Sequence, residues 1–220
     1  MAAVLYVRVA EAMAARLKVR SWEAFADEYL RGTWIRVRIE RSIATPLRRA
    51  TGVFGRMSLG IEGTAAATLD EIARRVFTSQ PGLRFKVDLE EAAKSLGQLS
   101  GALPGDSAAG RELHTLRRHL EPISARRAWI DNLAGDWRLL RSRLSEIRNQ
   151  VTHGEGPRAR VADSVLSMGS FIARQATLEA AEAFGGDSVF RQRCEALRVE
   201  SERWRNAVST IDDLASTLGC

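Results

Sequence analysis

The chain has 220 residues, 45% hydrophobic and 27% charged, with a formal net charge of +6. That balance is ordinary for a globular protein and excludes an intrinsically disordered one. Its two cysteines, Cys194 and Cys220, support neither a disulfide framework nor a metal-ligand spacing, so a reducing cytoplasm is the expected setting.

Only Lys18, Lys86 and Lys94 are lysines among the 33 basic residues. Arginine forks match phosphate, and the basic excess tilts the chain toward nucleic acid without deciding for it. Solvated helix faces account for most of these arginines. No apolar run reaches the roughly 18 residues that a membrane span needs. Arg8 and Glu11 interrupt the apolar N-terminus before a secretory core can form.

Leu5, Val9, Met13 and Leu17, then Trp22, Phe25, Ala26, Tyr29 and Leu30, recur at helical spacing within residues 2–31. They predict two helices, the second with Ser21 as its N-cap. Residues 34–50 are ambiguous: Ile35, Val37 and Ile39 alternate like a strand, whereas Ile35, Ile39 and Ile43 fit a helix. The helical neighbours favour helix. Gly52, Gly55, Gly60 and Gly63 mark a loop over 51–63; no Gly-Lys-Ser/Thr follows, so a phosphate loop is not the reading. Thr68 and Glu71 predict a capping box for a helix through Leu69, Ile72, Val76 and Phe77, stopped by "QPG" at 80–82. Asp88 with Glu91 opens another helix, and "GALPGDSAAG" at 101–110 reads as a linker.

The pattern then sharpens. Ile130, Leu133, Trp137, Leu140, Leu144, Ile147 and Val151 form one unbroken stripe. Val161, Val165, Met168, Ile172 and Ala176 form a second. Phe190, Cys194, Leu197, Ser201, Trp204, Val208, Ile211, Ala215 and Leu218 form a third. Three long helices with short connections predict an all-α fold, an antiparallel helical bundle. The expected division is an N-terminal helical region over 1–63, of no assigned role, and a bundle over 64–220. The bundle is best supported over 106–220, and one continuous domain is the alternative.

"LSEIRNQVTHGEGPRAR", residues 144–160, closes the first of these helices with a polar cluster. At about 100° per residue, Leu144 and Ile147 lie within about 40° of Val151. Asn149 and His153 fall roughly 160° from it, close together on the opposite face, with Arg148 at the flank. The bland reading is a solvated helix end, with Arg148 and His153 at the negative pole of the dipole and Gly154 as the cap. The core seam itself gives Asn149 and His153 no structural task.

"IRNQVTHG", residues 147–154, resembles the motif of HEPN domains: an arginine, a polar residue next to it, and a histidine after four intervening residues, followed by glycine. HEPN domains are all-α bundles with this motif near the end of a long core helix and further helices after it. The resemblance covers 106–220 and extends back toward residue 64, whereas the first sixty residues do not match. Glu155 stands where the toxin branch often has tyrosine, which argues against the nucleotidyltransferase-partnered type and leaves the broader nuclease group.

The resemblance implies a metal-independent endoribonuclease that needs no cofactor, with Arg148, Asn149 and His153 as catalytic residues. A ribose 2′-hydroxyl would attack the adjacent phosphate and leave a 2′,3′-cyclic phosphate and a 5′-hydroxyl. Imidazole, with an intrinsic pKa of about 6.5, can act as base or acid near neutral pH, and arginine can stabilise the phosphorane. One histidine is an incomplete acid–base set, so the resemblance implies a homodimer with a composite site. It also implies RNA as partner, a bacterial toxin or antiphage role, and an antitoxin or regulatory protein as a further partner. Arg141, Arg143, Arg158 and Arg160 flank the motif and would supply an electropositive approach for RNA.

His114 and His119 fall on different helix faces and read as surface residues, able to add phosphate contacts with Arg117 and Arg118. They lack zinc-ligand partners. Trp129, Trp137 and Trp204 read as core. Two rival readings of the whole chain stand beside the nuclease. One is a catalytically inactive HEPN-type module that binds RNA, a nucleotide or a partner protein; the other is a helical scaffold.

Overall fold

The computed structural model describes residues 2–51, 64–78, 86–103, 105–120, 123–155, 159–182 and 186–209. Among these residues the chain is all-α, apart from one pair of two-residue strands. The helices are α1 (Ala2–Leu17), α2 (Trp22–Phe25), α3 (Arg31–Thr51), α4 (Thr64–Val76), α5 (Leu89–Ala102), α6 (Ala108–Leu120), α7 (Ile123–Thr152), α8 (Ala159–Glu182) and α9 (Asp187–Ser209). A π-helical turn, Ala26–Leu30, joins α2 to α3. No described helix is long and apolar enough to cross a membrane.

The chain forms two compact units, residues 1–36 with 131–206 and residues 37–130 with 207–220. The units do not follow the expected break at residue 63. The N-terminal 36 residues belong with the long C-terminal helices because α1 packs along α8.

In the first unit Ser21 caps α2 as its sequence position predicts, Oγ accepting the Ala24 N–H at 3.2 Å. The buried stripe of α1 is not the predicted one. Ala3, Val7, Ala10, Met13 and Ala14 are buried, whereas Leu5 is 61% exposed and Val9 and Leu17 are half-buried. Small side chains let α1 lie close to α8, and a Cβ added at Gly169 would stand 2.5 Å from the Tyr6 ring. The α7 stripe is buried at Leu133, Trp137, Leu144 and Ile147; Leu140 and Val151 are half-buried. Val165, Met168, Ile172 and Ala176 of α8 are buried, as are Phe190, Cys194, Leu197, Ser201 and Trp204 of α9. Residues 211–218 of the third stripe lie outside the described residues.

Asp27, in the π turn, ties this core to α7. Its carboxylate accepts the Trp137 indole N–H at 2.7 Å and pairs with Arg141. The Trp137 ring packs on Trp34, centroids 5.5 Å apart. Where the π turn passes into α3, Ser201 Oγ accepts the Gly32 N–H at 3.0 Å.

The second unit holds the remainder of α3, then α4, α5, α6 and the start of α7. Residues 37–51 are helical, so helix and not strand is the outcome of the ambiguous isoleucine pattern. Ile39 and Ile43 are fully buried. α4 begins at Thr64, a turn before the expected capping box, and so Thr68 lies inside it. It stops at Val76, and Phe77–Thr78 (β1) pairs antiparallel with Lys86–Val87 (β2), Phe77 opposite Val87. Phe77 is therefore buried from a strand and not from the predicted helix. Asp88 caps α5 as predicted, Oδ1 accepting the Glu91 N–H at 3.0 Å. α5 continues to Ala102 and α6 starts at Ala108, which narrows the expected linker to 103–107. The core joins Leu69 and Ile72 of α4 to Ala92, Leu96 and Leu99 of α5 and Leu113 and Leu116 of α6. The glycine-rich stretch 52–63 and the "QPG" stop lie outside the described residues.

Candidate functional site

The polar cluster sits in the first unit, at the end of α7. The helix stops because Gly154 adopts φ +79°, a left-handed conformation that costs a residue with a Cβ roughly 1–2 kcal/mol. Two backbone bonds close the end: Glu155 N–H to the Gln150 carbonyl at 2.8 Å and Gly154 N–H to the Val151 carbonyl at 3.2 Å. This is the Schellman pattern, with His153 as C-cap. Ile147 and Leu144, buried beneath, hold the last turns against the core.

Asn149 and His153 are exposed and one turn apart, as the helical wheel predicts. The His153 N–H donates to the Asn149 carbonyl at 3.0 Å. Arg148, on the flank, is half-buried. One arm of its guanidinium donates to Asn149 Oδ1 at 3.1 Å, and another donates to Glu11 Oε1 of α1 at 2.9 Å. Glu11 Oε2 also accepts from Arg8 at 3.1 Å. With side chains 34% and 24% exposed, Arg148 and Glu11 form a pair that water only partly screens.

No known protein family, curated protein or solved structure matches this chain.

The face carrying Asn149 and His153 opens on a shallow groove of about 500 Å³, also lined by Ser142, Ser145, Glu146, Gln150 and Glu155. Among the described residues two carboxylates and no arginine border it. Neither Arg141 nor Arg143 lines it. Arg141 pairs with Asp27. Arg143 is half-buried. Arg158 lies outside the described residues, and Arg160 falls in the first turn of α8, its side chain outside the described set. Among the described residues no three His, Cys, Asp or Glu side chains gather to hold a metal ion.

Glu11 is the residue of the cluster that sequence reasoning missed. Its only visible signal was a charge breaking an apolar N-terminal helix, and nothing in the local pattern shows that α1 reaches α7. His114 and His119 are on the surface, as expected. Trp137 and Trp204 are buried. Trp129 departs from its core assignment: it is half-buried in the second unit and stacks on His119, ring centroids 5.9 Å apart and planes 19° from parallel.

Chemically, the cluster offers one exposed imidazole able to take or give a proton, one amide beside it, and one guanidinium held in place by a carboxylate. Groups of these kinds can serve in proton transfer and in pairing with a phosphate.

Proposed function

We propose that the protein is a metal-independent endoribonuclease of HEPN type, with α7, α8 and α9 arranged as an antiparallel HEPN-like bundle. The observation that carries the reading is the linkage of Arg148 to the exposed Asn149–His153 pair through the 3.1 Å bond to Asn149 Oδ1. Arg148 and Asn149 are thus linked outside the hydrophobic core, with His153 exposed one turn further along the same face. Glu11 fixes Arg148 from the other side, and a fork held in this way is preorganised for a phosphate.

In the reaction a base removes the 2′-hydroxyl proton, the 2′-oxygen bonds to phosphorus, and the bond to the 5′-oxygen breaks as an acid protonates it. His153 supplies one of these roles, and His153 of a second copy, facing it across a two-fold axis, supplies the other. The exposure of Asn149 and His153 supports such sharing. The homodimer is accordingly part of the proposal, with RNA as substrate and a bacterial toxin or antiphage setting, controlled by an antitoxin or regulatory protein.

One observation favours the rival class. The groove at His153 is bordered by Glu146 and Glu155, and the motif arginine is paired with Glu11. An acidic rim disfavours a polyanion and suits a catalytically inactive module that binds its partner through this face. RNA cleavage in EDTA by wild type, His153→Ala and Arg148→Ala separates the two. The nuclease loses cleavage in both variants at unchanged helical content. A folded wild type inert toward varied RNAs rejects it, and an active monomer rejects the composite site.

A further inference from the structure

A second cleft lies within the other unit and takes no part in the cluster on α7. It encloses about 600 Å³ between α3, α6 and the start of α7, within the range of small-molecule sites. Arg38, Arg41 and Arg49 line it from one face of α3, and Arg111 lines it from α6. At the far end of α6 the wall is His119 stacked on Trp129.

Charge comes first. Among the described residues four arginines and one carboxylate, Glu112, line the cleft, and Glu112 pairs with Arg49. Gathering four guanidinium groups around one cleft raises their mutual repulsion, and a multiply charged anion relieves it. Guanidinium forks select phosphate oxygens among anions because the geometry is bidentate.

The remaining wall is wrong for a simple anion. The His119–Trp129 pair presents an aromatic plane at the cleft edge, with His119 exposed and Trp129 half-buried. Such a plane binds the face of a heteroaromatic base.

Arginines and an aromatic plane around one cleft match the phosphates and the base of a single ligand class. We propose that this cleft binds a nucleoside polyphosphate. Its phosphates lie on Arg41, Arg49 and Arg111, and its base stacks on the His119–Trp129 pair. The ligand is a free nucleotide, and the site is separate from the RNA-cleaving face.

Titration calorimetry of the full chain tests this with ATP, GTP, adenosine, inorganic tripolyphosphate and a 5′-hydroxyl oligoribonucleotide. ATP or GTP binds with a Kd on the order of 10 µM, and adenosine and tripolyphosphate each bind at least about tenfold more weakly, because each keeps one half of the contacts. Arg41→Ala and Trp129→Leu each weaken nucleotide binding about tenfold or more, whereas Trp129→Phe keeps most of it. His153→Ala leaves it unchanged, so failure of the nuclease reading and failure of this one are distinguishable. Circular dichroism confirms that each variant is folded. Tripolyphosphate binding as tightly as ATP would reduce the cleft to an anion patch and overturn the proposal. So would an oligoribonucleotide that outcompetes ATP, or the lack of nucleotide binding by the folded wild type.

Discussion

Gly32→Ala is the sharpest structural test, because the same substitution elsewhere in the chain should have the opposite sign. Alanine is the better helix former by about 1 kcal/mol, so α3 alone would gain. A Cβ at position 32, however, would lie 2.1 Å from the Ser201 carbonyl oxygen and 2.7 Å from its carbonyl carbon and Cα. These are backbone atoms, so no rotamer change relieves the clash. Restoring ordinary contact requires α3 and α9 to separate by roughly 1.3 Å, and overpacking of this kind costs about 3 kcal/mol. Separation also stretches the 3.0 Å bond from the Gly32 N–H to Ser201 Oγ, a buried interaction of about 1 kcal/mol. The net loss is about 3 kcal/mol. Urea denaturation followed by circular dichroism measures it. Gly97→Ala and Gly135→Ala are the controls: no atom lies within 4 Å of either new Cβ, and each should gain up to about 1 kcal/mol. A Gly32→Ala protein as stable as wild type would refute the close α3–α9 crossing.

Burial raises the Cys194 thiol pKa to about 11, and the nearby Glu179 adds to the shift. An unfolded thiol ionises near about pH 8.5. Between these values the unfolded chain releases a proton that the folded chain keeps, so stability falls as pH rises, by up to about 1.4 kcal/mol per unit. Cys194→Ala should flatten the pH dependence of the urea midpoint between about pH 9 and 10.5. Tyr29, raised by burial and then by Glu28, is also raised by Cys194, so the substitution weakens both shifts in the same direction, and identical slopes would contradict the assignment. Asp27→Ala strips the buried Trp137 indole of its acceptor and should cost about 1–3 kcal/mol. Asp27→Asn, which keeps an acceptor oxygen, should cost less in the same denaturation experiment. At the cluster, Glu11→Ala should slow RNA cleavage about tenfold at saturating substrate by loosening Arg148. Glu11→Gln, which keeps an acceptor for Arg148, should restore most of the rate, and equal loss in both variants would show that Glu11 does not act through that bond.

Helix periodicity carried most of the all-α fold. The stripes of α7, α8 and α9 are long, and large apolar side chains dominate them, so core faces such as Trp137–Leu144–Ile147 were readable. The α1 face was not, because apart from Val7 and Met13 its buried residues are alanines, whose burial leaves no contrast in hydrophobicity against the exposed Leu5. Local caps at Ser21 and Asp88 were legible because each needs only three residues. The α4 start was not, since Thr64-Ala65-Ala66-Ala67 is helix-forming enough to extend past the apparent box. Asn149 and His153 announced themselves by facing away from the core. Glu11 and Asp27, which anchor Arg148 and Arg141, are more than a hundred residues away in sequence, and no local pattern encodes such a pairing. Trp129 was misread because a tryptophan beside an apolar stripe looks the same whether or not a neighbouring helix covers it.

The central claim is a 2′-hydroxyl attack served by His153. The most direct measurement compares, in EDTA, a defined RNA strand with the same strand carrying 2′-deoxyribose at its cleaved linkage. The account predicts that wild type leaves a 2′,3′-cyclic phosphate on the RNA strand and spares the deoxy linkage, and that His153→Ala cleaves neither. Cleavage of the deoxy linkage, or full activity in His153→Ala, would contradict it.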